Sequence, residues 1–231
     1  SDVCSSDLMG NDARYEVYLP TAFNNPHPGL FALDAQTGKQ RWRASSVLQS
    51  YRSTVVADLE GDGSNEILFG DKNSSLFCLD ADGKQRWSAQ LPGRGIFFAP
   101  AVADLQGNGA STIFAVVRGA GGEGKSLYAL DAKGQTQAAL ALPGGGGCSP
   151  ILCRFAGRSD VTLLALSAGG QLLCHRLQQK PAAAKILWPG VRNDPANSGF
   201  VRRGKSAPRR TEAALAQPVA TATQPALAGR N

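Results

Sequence analysis

At 231 residues, 42% of them apolar, the chain is long enough for one large domain or two small ones and rich enough in apolar side chains to bury a core. No uninterrupted apolar stretch approaches the roughly 20 residues that a membrane-spanning helix needs. The formal charge of +6 sits largely in the tail, where residues 200–231 hold six basic side chains and one acid. The remainder is nearly neutral, without an overall electrostatic drive towards nucleic acid.

In chain order, the opening SDVCSSDL resembles the translation of a sequencing adapter more than a gene product, so residues 1–9 are set apart as an artefactual or disordered leader. RYEVYLP, GLFALDA and KQRWRA then read as three strands of a blade whose first strand is missing. From there the sequence repeats. LFALDAQTGKQRW, LFCLDADGKQRW, LYALDAKGQTQA and LLCHRLQQ start at residues 30, 76, 127 and 172. STVVADLEGDGSNEILFG, APAVADLQGNGASTIFAV and SPILCRFAGRSDVTLLAL recur in step with them, from residues 53, 99 and 149.

Each period holds four short β-type segments, in the best period near 54–59, 65–71, 75–81 and 84–90, with no helical periodicity to compete. Four strands per period of about 45 residues is the signature of a propeller blade. The fold class expected is all-β: a β-propeller fragment of about four blades, the first incomplete. The blades span 10–50, 51–95, 96–145 and 146–190, a closing segment runs to 200, and a disordered basic Ala/Pro-rich tail occupies 201–231.

The turn between third and fourth strands follows from its residues. Asp34, Asp80 and Asp131 can bond backbone amides two residues on, and Gly38, Gly83 and Gly134 can take the positive φ at which the hairpin reverses. Ala32, Cys78, Ala129 and Cys174 share one repeat position, which therefore calls for a small side chain. Cys148 and Cys153 are placed on one strand, facing opposite ways. No cysteine pairing is favoured and no CxxC or Cys/His spacing points to a metal.

FALDAQTGKQRW resembles the tryptophan-docking motif of propellers related to pyrroloquinoline-quinone (PQQ) enzymes, matching at Ala32, Asp34, Thr37, Gly38, Lys39 and Trp42. The resemblance implies that Trp42 and Trp87 pack against the neighbouring blade, whereas Ala138 takes that place in the third copy. VADLEGDGSNEILFG is similar to the FG-GAP or VCBS repeat, a calcium-loop propeller repeat, and LWPGVRNDPANSGF (187–200) to a stretch that accompanies quinoprotein-like propellers. These resemblances imply a periplasmic or extracellular setting.

The acidic loop carries the one readable chemistry. Asp58, Glu60, Asp62 and Glu66 stand at positions 1, 3, 5 and 9 with Gly63 at 6, and the Ser64 carbonyl completes a set of oxygens suited to Ca2+. Local amide bonding by Asp58 and Asp62 in a plain polar turn is the alternative. The sister loops keep one carboxylate (Asp104) and none at the aligned positions, so any calcium role is confined to one blade.

A PQQ-dependent quinoprotein dehydrogenase is the enzyme alternative. The adjacent Cys-Cys pair of that family is absent, and His27 and His175 stand near no recognisable nucleophile, so PQQ is not expected. GAGGEGKS (119–126) matches a phosphate-loop pattern, but a strand rather than a helix follows it. The function expected is therefore a non-catalytic module that binds a protein or glycan or acts as a spacer in a secreted or envelope protein. Nucleic acid is not a partner of its folded part, and its tail is a linker or weak tether to anionic surfaces.

Overall fold

The computed structural model describes residues 6–9, 15–20, 29–44, 54–119, 124–177 and 183–190. These hold sixteen strands and no α-helix. The first sheet runs β1 (Ser6–Met9), β2 (Tyr15–Pro20), β3 (Leu30–Asp34), β4 (Gln40–Ala44), each antiparallel to the next. The second runs β5 (Val55–Ala57), β6 (Glu66–Gly70), β7 (Ser75–Leu79), β8 (Gln85–Gln90), and the third β9 (Ala101–Asp104), β10 (Thr112–Val116), β11 (Lys125–Leu130), β12 (Thr136–Ala141). The last has three strands, β13 (Ile151–Cys153), β14 (Thr162–Leu166) and β15 (Leu172–Arg176).

Successive antiparallel meanders packed face to face are the blades of a β-propeller, because each sheet hides both faces only by lying between two others. The side chains follow this arrangement. In the third blade Val102, Ile113, Ala115, Tyr128 and Leu130 belong to the core shared with the first two blades, whereas the alternating Ala101, Phe114, Val116 and Leu127 pack with Leu152, Leu163 and Ala165 of the fourth. Burial on both faces explains why EILFG and AVAD read as continuous rather than alternating apolar runs.

Three expectations are corrected. Ser6–Met9, set aside as leader, forms β1 and pairs with β2 in the register Ser6↔Tyr18 to Met9↔Tyr15, so the first blade has four strands. Without β1, β2 would present an unpaired row of amides and carbonyls, and an extended neighbour of almost any sequence can meet that demand. Cys148 precedes β13 rather than sharing a strand with Cys153. The fourth strand expected of the last blade is β16 (Lys185–Trp188), which pairs instead with β9 of the preceding blade, Ile186↔Ala103 and Trp188↔Val102 across a bulge.

β16 also packs against β5 and β13, so it lies among the first strands of three successive blades. Trp188 is fully buried there, and Leu152 donates its amide to the Pro189 carbonyl at 2.7 Å. The expected tail, 201–231, and most of the closing segment lie outside the described residues.

Candidate functional site

The acidic loop joins β5 to β6. Asp58 folds it: Oδ1 accepts the amides of Gly61 (2.6 Å) and Asp62 (3.1 Å), and Oδ2 that of Gly63 (2.8 Å). Asp62 Oδ1 accepts the Ser64 amide at 2.8 Å. Glu66 is 2% exposed, and its Oε2 accepts the Leu59 amide at 3.0 Å, which ties the start of the loop to its end.

The other two carboxylate contacts go to a cation the sequence reading did not identify. Arg86, on β8, donates from Nη1 to Glu66 Oε1 at 2.5 Å and from Nη2 to Glu60 Oε2 at 2.6 Å. Burial pushes the Glu66 carboxyl above its ordinary value, and the Leu59 amide and the Arg86 charge pull against that rise. The hydrogen bond to Glu60 helps hold the Arg86 guanidinium above its own. Calcium needs six to eight oxygens aimed at one point. The four carboxylates expected to converge divide instead, two bending the turn and two clasping Arg86, and no three His, Cys, Asp or Glu side chains among the described residues gather as ligands. As placed, they do not fit a calcium cage.

The Arg86 arrangement repeats. In the first blade Arg41, also the residue before the docking tryptophan, pairs with buried Glu16, and Glu16 stands opposite Asp34 on β3. In the third blade the corresponding positions are Gln137 and Thr112, and Gln137 donates instead to Asp131 at 2.9 Å. Glu and Arg are thus present together or replaced together. The sequence held this signal, but only the cross-strand register joins its two halves.

The sister loop has the same shape with one carboxylate. Asp104 accepts the amides of Gln106, Gly107 and Asn108 on Oδ1 and that of Gly109 on Oδ2 at 2.9 Å, while Asn108 takes the place of Asp62 by accepting the Ala110 amide at 3.1 Å. Burial would raise the Asp104 carboxyl, but these amides outweigh it and hold it below its ordinary value. The two loops touch: a Cβ on Gly61, at φ +72°, would lie 2.6 Å from Gly109 Cα. In the third copy Arg154 spans the gap, donating to the Ser159 and Ala184 carbonyls.

The docking residues form a second repeated contact. Trp42 pairs with Ala32 and donates its indole N–H to the Ala81 carbonyl of the next blade at 2.9 Å. Trp87 pairs with Cys78 and donates to Ala132 at 2.9 Å. Each ring lies over a glycine, since a Cβ on Gly83 would meet Trp42 at 2.5 Å and one on Gly134 would meet Trp87 at 2.6 Å. Below the rings, Asp80 Oδ1 accepts the amides of Asp82 and Lys84, and Asp131 Oδ1 those of Lys133 and Gln135. Asp34 accepts the amides of Gln36 and Thr37 and the Thr37 hydroxyl.

His175 is on β15, opposite Leu163, while His27 lies outside the described residues. Cys78, Cys148, Cys153 and Cys174 are free thiols. A shallow hollow of about 140 Å³ opens on the last blade between Phe155, Arg158, Asp160, Thr162, Cys174 and Arg176.

Residues 29–142, just under half of the chain, match the family model of the lambda-carrageenase β-propeller domain. The sequence motifs resembled other propeller families, and what the two readings share is the propeller. No curated protein matches the chain. Among solved structures, BBS1N in complex with ARL6DN, in a mercury-soaked crystal, is similar at TM-score 0.54 and 16% identity, over 74% of this chain and 49% of that one. A lead-soaked crystal of the same complex gives TM-score 0.52 and 12% identity, over 82% and 55%. The Vibrio cholerae biofilm matrix protein Bap1 is similar at TM-score 0.40 and 16% identity, over 81% and 39%. The chain thus spans about half the length of the first two. At these identities the likeness establishes the β-propeller fold.

Proposed function

We propose that the chain is a non-catalytic propeller module that binds a protein through the loops entering the second strands of its blades, in an extracytoplasmic setting. The observation that carries this reading is the construction of those loops. Asp58 and Asp104 fold two of them through backbone amides, and Arg86 takes up Glu60 and Glu66, so the chain's own side chains hold the loops in shape and their exposed tips are available for contacts. Support comes also from the similar propeller solved in complex with a protein.

Chain immobilised on beads and exposed to an envelope extract of the native host tests the reading, beside a variant carrying Gln106→Lys and Ala156→Lys at exposed tips. A protein retained by the parent and lost by the variant is expected. Equal retention, or none, overturns the loop-face reading.

A glycan partner is a second reading, carried by Phe155, 48% exposed beside Arg158 and Arg176, which both pair with Asp160 in the hollow, since an aromatic face edged by charged hydrogen-bonding groups suits a sugar ring and its hydroxyls. A glycan array probed with the parent and with Phe155→Ala decides it; no bound glycan, or one bound equally by both, removes it.

A further inference from the structure

We propose that the Asp34–Gly38 hairpin of the first blade is an open socket for a tryptophan carried by another propeller blade. At both internal interfaces where a docking tryptophan is present, the same parts meet. The indole covers the hairpin glycine of the following blade and donates its N–H to the carbonyl of the alanine after the turn aspartate, Trp42 to Ala81 over Gly83 and Trp87 to Ala132 over Gly134.

The first blade keeps the receiving half of this contact. Its turn aspartate, Asp34, bonds the hairpin amides, the Gly38 amide returns to the Asp34 carbonyl at 2.8 Å, and Gly38 holds φ +67° beside +80° and +79° at Gly83 and Gly134. Ala35 stands where Ala81 and Ala132 stand. The loop is one residue longer, and among the described residues nothing lies within 4 Å of a Cβ built on Gly38. The sheet face beside it is the less covered one: Val17, Leu19 and Leu33 are half-buried, whereas Tyr18, Leu30 and Ala32 on the opposite face are buried against the second blade. Arg43 lies over Phe31 at 5.3 Å on that open face and would border an incoming sheet. The surface is thus continuous in kind with two interfaces already formed in the molecule.

The chemistry identifies the occupant. The chain has three tryptophans: Trp42 and Trp87 are docked within it and Trp188 is fully buried, so a second copy has no indole to offer. Phe200, the one aromatic residue beyond residue 190, has no ring N–H for the Ala35 carbonyl. What fits is the outermost strand of a separate blade carrying a tryptophan at its third position, as β4 and β8 do here. This socket lies at the end of the run of blades rather than on the loop face, and it stands whether or not the loop-face reading does.

The test is a fusion that places a second copy of residues 51–95 ahead of Ser1. This leaves ten residues between the added β8 and β1, as between β8 and β9. The Gly38 amide proton should then move upfield in the direction of those of Gly83 and Gly134, and changing the tryptophan of the added copy to Ala should cancel the shift. Gly38 signals identical in the two fusions overturn the proposal.

N-acetyl-tryptophanamide titrated into the unfused chain removes any dependence on folding of the added blade. Gly38 should shift while Gly63, a turn glycine at φ +86° whose amide is bonded to Asp58 and whose added Cβ would meet no described residue within 4 Å, stays put. Equal movement at both, or movement at neither, is a negative result. Sedimentation of the unfused chain completes the set: a dimer whose formation shifts Gly38 would make a second copy the occupant and overturn the assignment to a separate blade.

Discussion

Arg86 reaches back across its own blade to the buried carboxylate of Glu66, 2.5 Å away, and with its other nitrogen holds Glu60 at 2.6 Å. A cation supplied by the fourth strand thus stands beside the loop where the sequence pattern suggested a bound ion.

The first prediction concerns what that cation is worth and at which pH. Burial raises the folded-state carboxyl of Glu66 above its ordinary 4.5, so the folded state holds this proton more tightly than the unfolded chain. The sign follows. Glu66 favours folding most when protonated, and stability falls as pH rises through 4.5 towards the raised value. Arg86 opposes that fall by stabilising the ionised form, so Arg86→Met should cost about 2 kcal/mol at pH 7, between the values for exposed and buried pairs because Arg86 is itself part-exposed, and clearly less at pH 4. Urea denaturation of both proteins at the two pH values measures this; an equal loss at both would disconnect Arg86 from Glu66. Adding Glu66→Gln should recover part of the loss at pH 7.

Metal removal gives the second. Since the loop carboxylates are divided between backbone amides and Arg86, thermal midpoints in calcium and in EDTA should coincide. Asp58→Ala should lower stability by about 1–2 kcal/mol, because three amides lose their acceptor, and by the same amount in either buffer. A calcium-dependent midpoint in the parent, abolished in Asp58→Ala, would restore an ion to this loop.

The third separates glycines that turn from glycines that receive a ring. Gly63→Ala places a methyl group in open space, so only its φ of +86° matters, and the loss should be about 1 kcal/mol. Gly83→Ala at φ +80° also drives a methyl group to within 2.5 Å of Trp42 and should cost several times more. Chemical denaturation of the two variants compares them directly, and near-equal losses would mean that the indole yields without penalty.

The propeller was legible because its blades are local. LFALDA, LFCLDA and LYALDA declare one strand and one turn three times, and β3, β7 and β11 form where those strings stand. Position by position the legibility ended where partners are distant in sequence. Nothing local in KILW separates a fourth strand of the last blade from one that crosses to β9, since that choice belongs to the space among β5, β9 and β13. At the acidic loop, too, the partner is distant in sequence. Spacing suggests a shared ion or a plain polar turn and says nothing of Arg86, which lies 26 positions beyond Glu60 and 20 beyond Glu66 and is brought alongside both by the β6–β7–β8 meander.

Thiol reactivity offers a last, independent check on the blade packing. Cys78 is fully buried between blades, and burial pushes its thiol up to about 12, helped by the nearby Glu66 charge. Burial also raises Cys153, to which the neighbouring Cys174 adds, while Cys174 itself is exposed. At pH 8 only a minute fraction of Cys78 is thiolate, and reagent reaches it only when the blades part. Iodoacetamide labelling followed by peptide mapping should therefore find Cys174 modified early and Cys153 later. Cys78 should remain unmodified until denaturant unfolds the protein, its labelling rate then following the unfolding transition. Early labelling of Cys78 in native buffer would mean that the second and third blades separate readily, and with them the docking of Trp87 on Gly134.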